Sequence, residues 1–183
     1  MKYFSIAARL GATLFALSTL SACNTANRTP GLPLPTVASV DVQRYLGSWT
    51  QQALIPNRFQ AMCVSDTRAI YARDGDGLSV LNQCRTQSGQ MEEAKGVAKI
   101  VQGSNNAKLR VSFFRPFYGD YWVLALEPNY QWVLVGEPSR QFGWILSRQT
   151  QLDDATLSQI LERAVALGYD KTQFVRSANA VSK

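Results

Sequence analysis

Side chains able to carry catalysis are sparse in this 183-residue chain, and the most versatile one is missing: there is no histidine. That excludes serine–histidine and cysteine–histidine nucleophile pairs, and any zinc or haem site held by imidazole. Acid–base chemistry by paired carboxylates would need Asp or Glu aimed into a protected interior. The adjacent Glu92 and Glu93 stand at the start of a strand-like segment and read as solvated. No glycine-rich phosphate loop and no CxxC pair is present. The residue inventory points to binding rather than catalysis, with no catalytic residue, metal or cofactor expected.

The three cysteines divide by context. Residues 1–22 have a charged start (Lys2, Arg9), an apolar stretch from Leu10 to Leu20 and a small-residue end, which is the pattern of an export signal. The junction Leu20-Ser21-Ala22-Cys23 resembles the bacterial lipobox, in which the cysteine is acylated (palmitate among the chains) and anchors the mature protein. Asn24 in the next position resembles the sorting signal for the outer membrane. Residues 23–39, rich in Pro, Gly, Asn and Thr, read as a flexible tether, and the domain is expected to span 40–178 with a short tail after it. Cys63 and Cys84 remain, on the two strands of a hairpin in an oxidising compartment, where a disulfide is expected over two free thiols.

These residues need a scaffold, and the hydrophobic pattern supplies one. Short segments alternating apolar and polar residues recur from Trp49 to Arg148, separated by turns such as Asp74-Gly75-Asp76-Gly77, Gly103-Ser104-Asn105-Asn106 and Glu127-Pro128-Asn129. Eight strands with hairpin-length links and no long crossover predict an all-β fold, an eight-stranded antiparallel up-and-down barrel. One helix follows, capped by Asp153 or Asp154 and ended by Gly168. Leu157, Ile160, Leu161, Ala164 and Leu167 share one face that would pack on the barrel's outside. The net charge of +6, with Lys2 and Arg9 inside the export signal and no Lys/Arg run elsewhere, gives no basis for nucleic-acid binding.

Several stretches together resemble the lipocalins, and within them the bacterial outer-membrane lipoprotein group. They are Asp41-Val42-Gln43-Arg44-Tyr45-Leu46-Gly47-Ser48-Trp49, Ile55-Pro56-Asn57-Arg58-Phe59, Val80-Leu81-Asn82, Ser112 to Gly119, Glu127-Pro128-Asn129-Tyr130, and Trp144-Ile145-Leu146-Ser147-Arg148. Glu127 stands where that family usually has Asp, and Thr50-Gln51-Gln52 departs from its usual first strand. The resemblance implies that Gly47, Trp49, Glu127, Tyr130 and Arg148 are fold determinants at the closed end, with Trp49 packed against Arg148. It also places Tyr71 and Trp144 inside a ligand-binding calyx. Strand parity then adds Ala69, Leu78, Val80, Asn82, Leu109, Val111, Phe113, Leu146, Trp122 and Leu124 to its wall.

Counting turns from the closed end puts one arginine in each open-end loop: Arg58, Arg85, Arg115 and Arg140. A basic rim for an anionic head group is one reading of this, and ordinary solvated arginines are the other. The expectation is a lipid-anchored outer-membrane protein, monomer or weak homodimer, that binds a fatty acid or (lyso)phospholipid for transport, storage or envelope maintenance. An envelope enzyme or scavenger of the same fold is the alternative.

Overall fold

In the computed structural model, residues 33–179 are described. The export signal, Cys23 and the last four residues of the tail therefore lie outside the described residues. Strands β1 (Gly47–Leu54), β2 (Cys63–Asp74), β3 (Gly77–Thr86), β4 (Met91–Ile100), β5 (Lys108–Phe114), β6 (Phe117–Leu126), β7 (Trp132–Gly136) and β8 (Gly143–Ser147) pair in sequence order, all antiparallel. The sheet closes because β1 bonds two neighbours. Its first half pairs with β2 (Trp49 opposite Ala69), and it also pairs with β8 (Gln51 opposite Leu146). This is the expected up-and-down barrel, which removes the exposed edges a flat sheet would carry.

A register shift between Gln51 and Ala53 explains the unusual first strand. It turns Gln52 to the outside, where the amide donates to the carbonyls of Gln149 and Thr150 (3.0 and 3.3 Å) and accepts from the Leu152 N–H (2.8 Å). The far half of β1 then pairs with a short last strand, β9 (Val175–Arg176), with Ala53 opposite Arg176.

Two apolar cores sit on either side of the barrel wall. The inner one is built from alternate residues, among them Trp49, Tyr71, Leu78, Val80, Leu109, Val123, Val133, Val135 and Leu146. The outer one gathers Ala53, Leu124, Leu134 and Ile145 beneath helix α2 (Asp154–Ala166), which contributes Leu157, Ile160 and Ala164. Because the helix covers them, β7 and β8 are apolar on both faces, where the other strands alternate. Asp153 caps the helix by accepting from the Thr156 N–H (2.8 Å). Gly168, at φ +85°, ends it.

Two sequence expectations are corrected here. The described end of the segment read as tether, residues 33–39, packs: Leu34 is buried in the outer core, and the Val37 N–H donates to the Val123 carbonyl (3.0 Å). Proline and threonine content concealed a single well-placed leucine. Trp122 and Leu124 do not face the calyx. Lys108 lies 3.8 Å over the Trp122 ring on the outer wall, and Leu124 belongs to the outer core. The pairing of Leu109 with Tyr121 sets this parity, so the inward residues of β6 are Tyr121 and Val123.

Candidate functional site

The closed end is assembled from backbone outward. A one-turn helix, α1 (Val42–Tyr45), is capped by the Asp41 carboxylate and laid across the barrel bottom. It carries Tyr45 inward against Trp49, with ring centroids 5.0 Å apart, and Trp49 donates its indole N–H to the Tyr45 carbonyl (2.8 Å). Trp49 is 0% exposed. Beneath it the Arg148 guanidinium stacks 3.8 Å from the ring. It donates to the carbonyls of Ser48 (2.7 Å), Arg44 (2.8 Å), Leu46 (2.9 Å) and Tyr45 (3.3 Å). One planar cation thus ties the end of α1 to the start of β1, and its burial lowers its pKa below that of a free guanidinium.

Gly47 sits at φ +90°, a conformation that keeps the chain close to Arg148 and that a side chain would strain. Glu127 orders its own turn by accepting from the N–H groups of Asn129 (2.8 Å) and Gln131 (3.2 Å). Tyr130 accepts from the Asp41 N–H (2.8 Å) through its hydroxyl. All five residues expected to build this floor are in it.

Above the floor the wall is apolar and narrow in chemistry. Tyr71, Val80 and Leu146 are buried in the inner core, and Val111 and Trp144 pack against it. Asn82 lies opposite Ala69 and Ala94, two positions nearer the mouth than Val80, and its Oδ1 is buried without a hydrogen-bond partner. β4 turns Ala94, Gly96 and Ala98, the smallest side chains of the wall, to the interior. A Cβ on Gly96 would come within 2.8 Å of the Phe113 ring and of the Ser112 carbonyl, so Phe113 lies directly over that backbone. Phe113 remains 46% exposed because it stands at the mouth.

Three tyrosines meet at the bottom of this space. Tyr71 donates to the Tyr121 hydroxyl (3.0 Å), and Tyr45 and Tyr121 share a further bond of 2.7 Å. Burial is the largest reason that all three resist ionisation. Tyr45 and Tyr121 lie well above the ordinary 10.0, and Tyr71 is pushed up to about 12.

The mouth is apolar and aromatic. Phe59 (63% exposed), Phe114 (76%) and Phe117 (70%) stand at the tips of its loops, with Phe114 and Phe117 stacked at 6.2 Å. Phe59, Phe142 and Trp144 form a ladder from the rim inward, with centroid spacings of 6.2 and 6.1 Å. Gln60, in the short 3-10 turn Arg58–Gln60, closes one side. Its Oε1 accepts from the Trp144 indole (2.8 Å), and its Nε2 donates to Gln51 (3.0 Å). The Cys63–Cys84 disulfide, with a Cα separation of 5.5 Å, staples β2 to β3 near this end.

The four arginines do not act as one ring. Arg140 donates to the Leu167 carbonyl (2.7 Å), binding the last turn of the outer helix. Arg85 is paired with Asp66 at 2.8 Å. Arg58 lies beside the Phe59 ring at 5.0 Å, and Arg115 is exposed in the turn between Phe114 and Phe117. A side chain near a loop tip still spends its donors on whichever carbonyl or carboxylate is closest.

Sequence reasoning missed Tyr45, Tyr121 and Gln60. Tyr121 could have been found by carrying the parity of Leu109 across one hairpin. Tyr45 had no such signal, since α1 is too short for a periodic pattern. Glu92 pairs with Cys84 on the inward parity of β4 and is exposed at the mouth, solvated as its place at the strand start implied. Among the described residues no cluster of His, Cys, Asp and Glu is arranged to hold a metal ion.

A barrel closed by a Trp–Arg floor and open at an aromatic mouth has close relatives. The family model of the lipocalin-like domain matches residues 40–179. Temperature-induced lipocalin-1 of Arabidopsis thaliana is 42% identical over 143 residues, covering 73% of this chain and 76% of that protein. Outer membrane lipoprotein Blc of Escherichia coli (strain K12) is 35% identical over 148 residues, 80% of this chain and 84% of its own. Insecticyanin from the tobacco hornworm Manduca sexta superposes with a TM-score of 0.65 over 84% of this chain and 88% of its own. At 22% identity that last likeness speaks to the fold alone. On sequence, family model and architecture together, the chain belongs to the lipocalin family.

Proposed function

We propose that this protein is a lipid-anchored outer-membrane lipocalin that binds a fatty acid or (lyso)phospholipid, for lipid transport, storage or envelope maintenance. One observation carries the reading: the apolar interior of the barrel ends at a mouth where Phe59, Phe114 and Phe117 stand exposed. Exposed aromatics of this size are uncommon on a soluble surface and suit the entry of an acyl chain. The Phe59–Phe142–Trp144 ladder gives such a chain an aromatic path from the rim inward. The similarity to outer membrane lipoprotein Blc and the lipobox-like Leu20-Ser21-Ala22-Cys23 support the anchor and the compartment.

Lipid extraction and mass spectrometry of the natively purified protein test the carriage. Phospholipid or fatty acid at close to one per chain is the expected result. A protein that emerges empty and takes up neither class on incubation would refute it. Metabolic labelling with palmitate tests the anchor, and the Cys23→Ser variant should lose both the label and the membrane fraction.

A further inference from the structure

The inner wall carries two polar groups whose hydrogen-bonding capacity the protein itself leaves unfilled. The first is a tyrosine proton. Tyr71 donates to Tyr121, and the bond between Tyr45 and Tyr121 can run either way. Three hydroxyls therefore share two bonds. If Tyr45 donates, the Tyr121 proton is left over; if Tyr121 donates, the Tyr45 proton is. Tyr121, on the inward parity of β6, is half-buried where Tyr45 and Tyr71 are buried, so we place the spare donor on Tyr121. The second atom is Asn82 Oδ1, an acceptor buried without a partner. The pairing of Asn82 with Ala69 places it one inward step mouthward of the Tyr71–Val80 pair, on the same stretch of wall.

A saturated alkyl terminus pressed into this region would strip water from a donor and an acceptor and pair neither, which is penalised. A carboxylate fits no better. The tyrosines are held neutral, and the nearest guanidinium, that of Arg148, lies under Trp49 with its donors committed to four carbonyls. A neutral hydroxyl both donates and accepts, so it matches the pair of unsatisfied atoms. We propose that the calyx selects lipids whose buried end carries a neutral hydroxyl, that is, oxygenated acyl chains over plain saturated ones. Asn82 and Tyr121 are then its specificity-determining residues. This rests on the lipid-carriage reading above and specifies its ligand class.

The test is competitive binding of palmitate and ω-hydroxypalmitate to delipidated full-chain protein, in the wild type and in the Asn82→Leu and Tyr121→Phe variants. The hydroxylated probe should bind at least about tenfold more tightly than palmitate. Asn82→Leu should bring the two affinities together by strengthening palmitate and weakening its hydroxylated partner, an inversion that mere loosening of the fold would not produce. Tyr121→Phe should narrow the gap further if the barrel tolerates two tyrosines without their shared partner, and Asn82→Leu decides the matter if it does not. Equal affinities in the wild type, or a ratio untouched by Asn82→Leu, would overturn the inference while leaving lipid carriage intact. If neither probe binds, the inference falls, while lipid carriage stands or falls with the extraction experiment above.

Discussion

The two ends of this barrel use the same residue types for opposite purposes. At the floor, Trp49 and Arg148 are packed ring to guanidinium, and both the indole N–H and the guanidinium donate to backbone carbonyls. At the mouth, Trp144 and Phe142 stack in the same manner, but the ladder ends in the exposed ring of Phe59, and Arg115 protrudes between two exposed phenylalanines. The difference lies in what lies opposite. Helix α1 returns the chain across the bottom and supplies carbonyls to close it, whereas the mouth loops only turn back on themselves. Aromatic and cationic residues therefore read as structure where backbone surrounds them and as binding surface where it does not.

The sharpest way to break that comparison is to remove one tryptophan from each end. Trp49→Ala should cost about 3–5 kcal/mol of folding stability in urea titrations, since a fully buried ring leaves a cavity. Trp144→Ala, whose ring already borders open space, should cost clearly less and reduce lipid affinity instead. Cutting the Cys63–Cys84 bridge by reduction, or by replacing both with Ser, should lower stability by about 3 kcal/mol, given the 21-residue separation. Its position near the mouth predicts that the floor keeps its near-ultraviolet aromatic signal up to the unfolding transition.

Alkaline titration separates the ends by chemistry. Tyr71 has its pKa raised from 10.0 to about 12 by burial, and Tyr45 and Tyr121 are shifted the same way. Below pH 10 these groups are protonated in both folded and unfolded chains and contribute nothing to pH dependence. Between pH 10 and 12 the unfolded chain has released protons that the folded barrel retains, so stability falls as pH rises. The slope approaches about 1.4 kcal/mol per pH unit for each such tyrosine. Thermal melts across that window should show it, with a shallower fall in Tyr71→Phe. The smallest effects concern the arginines. Arg140→Gln should cost about 1 kcal/mol of stability, through its lost bond to the helix end, and leave affinity unchanged. Arg58→Gln with Arg115→Gln should move stability by less than about 0.5 kcal/mol and weaken anionic lipid several-fold at low salt only.

Much of this was legible in the chain because it depends on long-range repetition. Period-two alternation and evenly spaced turns specified the barrel. Counting turns then brought Gly47, Glu127 and Arg148 to one end, as the pairings show. Tyr71, Val80, Val111, Trp144 and Leu146 were placed correctly on the inner side. What failed was local. The phase of β6 was misread: the pairing of Leu109 with Tyr121 turns Tyr121 and Val123 inward and Trp122 and Leu124 outward, and a register shift between Val123 and Ala125 adds Ala125 to the outer core. Leu34 packs through a single side chain, which no composition window detects. Arginine partners were not readable either, because Arg140 bonds a carbonyl 27 residues away that only the folded helix brings near.

The central claim, that lipid occupies the space above the floor and nowhere else, can be tested by where it touches tryptophan. Trp144 lines the interior, while Trp122 and Trp132 pack with the outer core. Fluorescence of the Trp122→Phe/Trp132→Phe variant and of the Trp144→Phe variant is followed during titration with a bromine-labelled stearate. The account predicts strong quenching at one equivalent in the first protein, through Trp144, and weaker quenching in the second, where Trp49 at the floor is the one interior tryptophan left. Quenching of Trp122 and Trp132 with Trp144 left bright would contradict it and move the binding site to the outer wall.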